Sequence, residues 1–197
     1  MNSSSIKWLA APSSLAFAWT LIFAAVDYES TVQTWWKGLV LQPSSGILCA
    51  TTTTFFHANL VHLLSNITFV YMLAFTLRGV FRPTQFIVLW SIFSPLATLT
   101  SYLWDPSPLV GASAGLAAIM GGALRVSLGG ETRSLKKWFT LVLMTMLVCW
   151  APGDRVAHIS GFCFGYLLGR WAITLRNGLS IAIGCTLGST LYLLLIP

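Results

Sequence analysis

Three short stretches of this chain hold the residues with the most chemical potential. Ser113 sits in Gly111-Ala-Ser-Ala-Gly115, at the start of an apolar run and just after Pro106 and Pro108. A serine at a helix N-terminus has unpaired backbone N–H groups beside it and the positive end of the helix dipole. That setting caps a helix, and it equally stabilises an oxyanion. The G-x-S-x-G pattern alone is weak, because the soluble hydrolase elbow that shares it needs a preceding strand and a later triad acid, and the sequence supplies neither. His158 lies in Ala157-His-Ile-Ser-Gly161, and glycines continue at Gly165 and Gly169. Glycine at every fourth position makes a smooth stripe on which a second helix can approach closely. A helix starting at Ser113 offers the small residues Ala114, Gly115, Ala117 and Ala118 to such a stripe, which would bring its hydroxyl within reach of His158. His62 and Asn66 are four apart and so share one helix face. Each stretch also has a plain structural reading, as cap, packing stripe or interhelical hydrogen bond. Together they make a nucleophile, a base and a set of oxyanion donors.

The elements that must position these groups are apolar. Of 197 residues, 56% are hydrophobic and 8% charged, against about 25% charged in a soluble domain. Disorder, coiled coil, collagen and an ordinary cytosolic enzyme are excluded on that ground. Seven apolar runs, at about 8–26, 56–77, 86–104, 113–128, 138–150, 157–173 and 179–196, fill the chain as a single transmembrane domain and leave no room for a second one. They are expected to be helices, since an open sheet leaves backbone groups unpaired in lipid and no run alternates as a barrel strand does. The first run is long for a signal peptide and is read as a retained span. Residues 27–54 are mixed, with Pro43 to Gly46 breaking regular structure and Trp35-Trp36 suited to an interface. The run 138–150 gives only about 20 Å of helix at ~1.5 Å per residue, short of a hydrocarbon core of about 30 Å.

With the N-terminus in the cytoplasm and seven spans, Lys7, Arg78, Arg82, Arg125, Arg133, Lys136, Lys137, Arg170 and Arg176 fall inside, and only Lys37 and Arg155 outside. This is the basic asymmetry of an integral membrane protein, so the net charge of +6 points to orientation rather than to nucleic acid. The same topology puts Ser113, His158, His62 and Asn66 at one level, near the extracytoplasmic ends of their spans. Asp154, four residues before His158, is weighed as a third triad member and read instead as a solvated loop acid, since Pro152 and Gly153 before it suit a mobile turn. No Cys/His cluster or C-x-x-C pair occurs, so neither metal nor cofactor is expected.

With these residues in place, the sequence resembles the rhomboid family of intramembrane serine proteases. The resemblance rests on His57-Ala-Asn-Leu-Val-His62-Leu-Leu-Ser-Asn66, Gly111-Ala-Ser113-Ala-Gly115, and Ala157-His158-Ile-Ser-Gly161 with Gly165 and Gly169, in that order on the second, fourth and sixth spans. It implies an all-α polytopic bundle with a six-helix core and one added C-terminal helix. It implies a Ser113–His158 dyad, with His62, Asn66 and the Ser113 N–H as oxyanion hole, and Gly111, Gly115, Gly161 and Gly165 in helix packing. It implies transmembrane protein substrates in a lipid bilayer, a bacterial inner (plasma) membrane as location, and a small residue before the cut. Two departures stand out. Residues 27–54 hold no Trp-Arg pair, and Ala117 replaces the aromatic that in many members stacks under the histidine. A non-catalytic rhomboid-like protein that binds transmembrane clients is the rival reading. A small transporter is disfavoured, because no charged residue sits in mid-membrane and no inverted repeat is visible.

Overall fold

A computed structural model describes residues 3–25, 46–78, 81–106, 110–127, 143 and 154–174. The expected spans at 138–150 (Leu143 apart) and 179–196, and the Trp35-Trp36 pair, lie outside the described residues. Among the described residues the regular structure is helical, joined by turns and irregular stretches, with one isolated bridge between Arg78 and Phe81. The helices are α1 (Ser3–Ala25), α2 (Gly46–Thr53), α3 (Leu60–Thr76), α4 (Pro83–Trp104), α5 (Ser113–Val126) and α6 (Arg155–Thr174).

Helix α5 is the central element. Every residue from Ala114 to Ala123 is buried, the signature of a helix surrounded by others. It packs between α4 and α6, while α1 lies against α3 and α4. On α3 the buried positions are Leu63, Asn66, Val70, Leu73 and Ala74, one stripe at helical spacing. Asn66 is thus an amide set into an otherwise apolar stripe. The opposite faces carry large exposed hydrophobics, among them Phe17, Val61, Phe75, Leu103, Leu167 and Trp171. So many exposed apolar side chains would be a liability in water and suit a helical bundle in lipid. Among the described residues one helix, Pro83–Trp104, is long and apolar enough to cross a bilayer by length and composition. Its internal Pro95 is of the kind tolerated where neighbouring helices re-satisfy the backbone.

Helix α2 is an addition to the sequence reading, which left residues 27–54 as a mixed stretch broken at Pro43 to Gly46. It is short and buries four consecutive threonines, Thr51 to Thr54, at its end. Two of them fold their hydroxyls back onto the helix, Thr53 Oγ1 donating to the Ala50 carbonyl and Thr54 Oγ1 to that of Thr51.

Candidate active site

Ser113 and His158 meet. The Ser113 Oγ lies 2.7 Å from His158 Nε2, although the residues are 45 apart in sequence. His158 is buried and Ser113 half-buried. What brings them together is direct backbone contact between α5 and α6. A Cβ placed on Gly161 would strike the Ala114 carbonyl oxygen, and one on Gly165 the Ala118 carbonyl oxygen. The relation is reciprocal, since a Cβ on Gly121 would strike the Phe162 carbonyl oxygen. No side chain other than hydrogen fits in this seam.

The head of α6 is fixed separately. Asp154 Oδ1 accepts from the Ala157 N–H at 2.9 Å, and its carbonyl accepts from the His158 N–H at 3.1 Å. Ser101 on α4 donates its hydroxyl to Asp154 Oδ2. Asp154 is therefore the N-cap of α6 and a tie to α4, which corrects its reading as a solvated loop acid. Its carboxylate is occupied with the backbone and with Ser101.

On the other side of Ser113, His62 and Asn66 come from the first two turns of α3. Asn59 starts that helix with extended dihedrals of −165° and 173°, and its side chain accepts from the His62 N–H at 2.8 Å. The Ala58 N–H donates to His62 Nδ1 at 3.4 Å. With Nδ1 accepting, the proton of the neutral ring lies on Nε2, which leaves Nε2 as a donor. That edge faces Gly111, where a Cβ would lie 2.8 Å from Nε2 and 3.9 Å from Asn66 Nδ2. Gly111 has φ +129°, a backbone region open to glycine and costly for other residues, so both conformation and space require it. Asn66 is 5% exposed, and its Nδ2 is buried with no hydrogen-bond partner among the described residues. An unsatisfied buried donor costs about 1–3 kcal/mol and calls for an explanation.

Between the two sides runs the loop into α5. The Gly111 N–H donates to the Thr53 carbonyl at 3.1 Å. The Ala112 carbonyl accepts from the N–H groups of Gly115 and Leu116, at 3.1 and 3.2 Å, and from Trp90 Nε1 at 3.2 Å. Gly115 is glycine because the Trp90 indole fills its Cβ position, with Nε1 2.6 Å from where that carbon would stand. His57, 2% exposed, packs its ring 5.2 Å from that of His62 and 5.6 Å from that of Trp19. Sequence reading missed Trp90, Thr53 and Ser101. Asp154 did carry a signal, an acidic residue directly before a helix.

A family model of the Rhomboid domain matches residues 44–175, about two thirds of the chain. No curated protein and no solved structure matches it. The matched region contains every residue that the structure describes except those of α1. The chain therefore belongs to the rhomboid family, integral membrane proteins that are generally intramembrane serine proteases.

Proposed function

We propose that the protein is an intramembrane serine endopeptidase that cleaves peptide bonds in or near transmembrane segments, with a Ser113–His158 dyad. The observation that carries this reading is the 2.7 Å approach of the Ser113 hydroxyl to His158 Nε2. It is supported by the idle donors beside it, Asn66 Nδ2 and the Nε2 edge of His62, which converge on Gly111. Ser113 Oγ attacks the substrate carbonyl carbon as His158 Nε2 takes its proton. The carbonyl π pair moves to oxygen, and that oxyanion accepts from His62 Nε2, Asn66 Nδ2 and the Ser113 N–H. Collapse breaks the C–N bond, and His158 delivers its proton to the leaving amine. Water, deprotonated by the same imidazole, then attacks the ester carbonyl; the acyl C–Oγ bond breaks, and the imidazole returns its proton to Ser113 Oγ.

Asp154 is committed to capping α6, so no carboxylate is assigned to orient the imidazole. The backbone seam and the cap hold the histidine instead. We place the whole chain, 1–197, in one rhomboid-like domain of six core helices plus one C-terminal helix. The N-terminus is cytoplasmic and the site faces the extracytoplasmic side of a bacterial plasma membrane, a topology supported by the distribution of basic residues. A fluorophosphonate probe for serine hydrolases, applied to the purified protein, should label wild type and not Ser113→Ala. Absence of labelling together with absence of cleavage of a model transmembrane substrate would favour the non-catalytic, client-binding reading.

A further inference from the structure

We infer that Trp90 is a positioning residue for the oxyanion site, acting through the peptide unit that joins Ala112 to Ser113. This rests on the proposed protease reading and adds to it a residue that neither the sequence pattern nor the dyad geometry includes. Trp90 lies on α4, 2% exposed. Its indole is set by two aromatic contacts, with Trp19 at 5.7 Å and, with the rings near perpendicular, with Phe55 at 5.0 Å. Held so, Nε1 donates to the Ala112 carbonyl at 3.2 Å.

That carbonyl and the Ser113 N–H belong to one planar trans peptide, so they point in opposite directions. Fixing the first fixes the second. The two helical bonds from Gly115 and Leu116 direct the carbonyl along α5. The first turn of a helix is where such bonds fray most readily. The indole supplies a third bond, from a different helix, at the turn that carries the nucleophile. The last glycine of Gly111-Ala-Ser-Ala-Gly115 belongs to the same device, because any side chain there would displace the indole. Trp90 thus aims the Ser113 N–H without touching the substrate.

Trp90→Phe keeps an aromatic ring and removes the donor. The test compares it with wild type and with Phe93→Leu, a core change on the same helix that removes no hydrogen bond. Three quantities are read: kcat and KM on one transmembrane substrate, the Ki of a peptide aldehyde ending in alanine, and the Ki of the matching peptide amide. The aldehyde forms a tetrahedral adduct whose oxygen needs the oxyanion donors, whereas the amide only occupies the cleft. Loss of one oxyanion donor costs about 10²–10³ in kcat, and misdirection of one should cost about tenfold. The expected result is a roughly tenfold fall in kcat with KM within about twofold, a matching rise in the aldehyde Ki, and an unchanged amide Ki. Phe93→Leu should leave the aldehyde-to-amide ratio at its wild-type value. If Trp90→Phe does not fold, Gly115→Ala, which crowds the indole from the other side, should move the same ratio. An active wild type with an unchanged ratio in the folded variant would overturn this role for Trp90 alone. Equal loss of aldehyde and amide binding would reduce Trp90 to packing. A wild type that neither cleaves nor binds the aldehyde would overturn the protease reading itself.

Discussion

The two sides of Ser113 are built on different principles. Towards His158, α5 and α6 touch backbone to backbone through Gly161, Gly165 and Gly121, and the distance between Ser113 and His158 follows from that contact. Towards His62 and Asn66, position comes from an N-cap, a loop hydrogen bond and a glycine with φ +129°, and a buried donor has no partner among the described residues. The first side is rigid because nothing can be inserted. The second leaves a donor unpaired at some cost in stability, as the proposed oxyanion role requires of groups that meet charge only in the transition state.

This contrast is sharpest where the seam is broken. Gly161→Val would drive a branched side chain into the Ala114 carbonyl and separate the helices. Cleavage of a transmembrane substrate should be abolished, as in Ser113→Ala and His158→Ala. Those two should stay folded, whereas the valine variant should also lose thermal stability. Retained activity in Gly161→Val would mean that the seam does not set the dyad distance.

The oxyanion side should respond by degrees. His62→Ala and Asn66→Ala should each lower turnover by about 10²-fold, with probe labelling weakened yet present. Asn66→Leu replaces an unsatisfied amide with an apolar group of similar volume. Its melting temperature should equal or exceed that of wild type while turnover falls as in the alanine variant. A melting temperature well below wild type would show that Asn66 has a structural partner.

Asp154 separates capping from catalysis. Asp154→Ala should cost about 0.5–2 kcal/mol of stability, the range for a lost N-cap. Asp154→Asn, which still caps, should cost less and keep most of the activity. A fall near the ~10⁴-fold that follows loss of a triad acid's charge would make Asp154 part of the chemistry. The smallest effect is expected far from both sides. Tyr71→Phe removes an exposed hydrogen bond of 3.0 Å to Ser13, and should stay within about 0.5 kcal/mol in stability with turnover unchanged.

The sequence made legible what repeats along one helix. His62 and Asn66 at i, i+4, and the glycines at 161, 165 and 169, announce faces before any fold is known. The apolar runs likewise foreshadow the helical character of the chain. What stayed hidden are the links made across the chain by residues with no local pattern. Trp90 reaches Ala112 over 22 positions and Ser101 reaches Asp154 over 53. Helix α2 was hidden for another reason. It spans only eight residues and ends in threonines, whose β-branching disfavours helix, so packing rather than propensity holds it. Asp154 was readable as a cap, but Pro152 and Gly153 before it suggested a turn instead.

The glycine seam has a further consequence, in entropy. Ordering a long side chain at an interface costs up to about 1.5–2 kcal/mol of lost rotamer freedom, and glycine costs none. Two helices that meet through Gly121, Gly161 and Gly165 therefore freeze few rotamers along their line of contact. The alignment of Ser113 with His158 rests on a joint whose glycines have no side-chain torsions to relax, so thermal motion of neighbouring side chains has little through which to loosen it short of parting the two backbones.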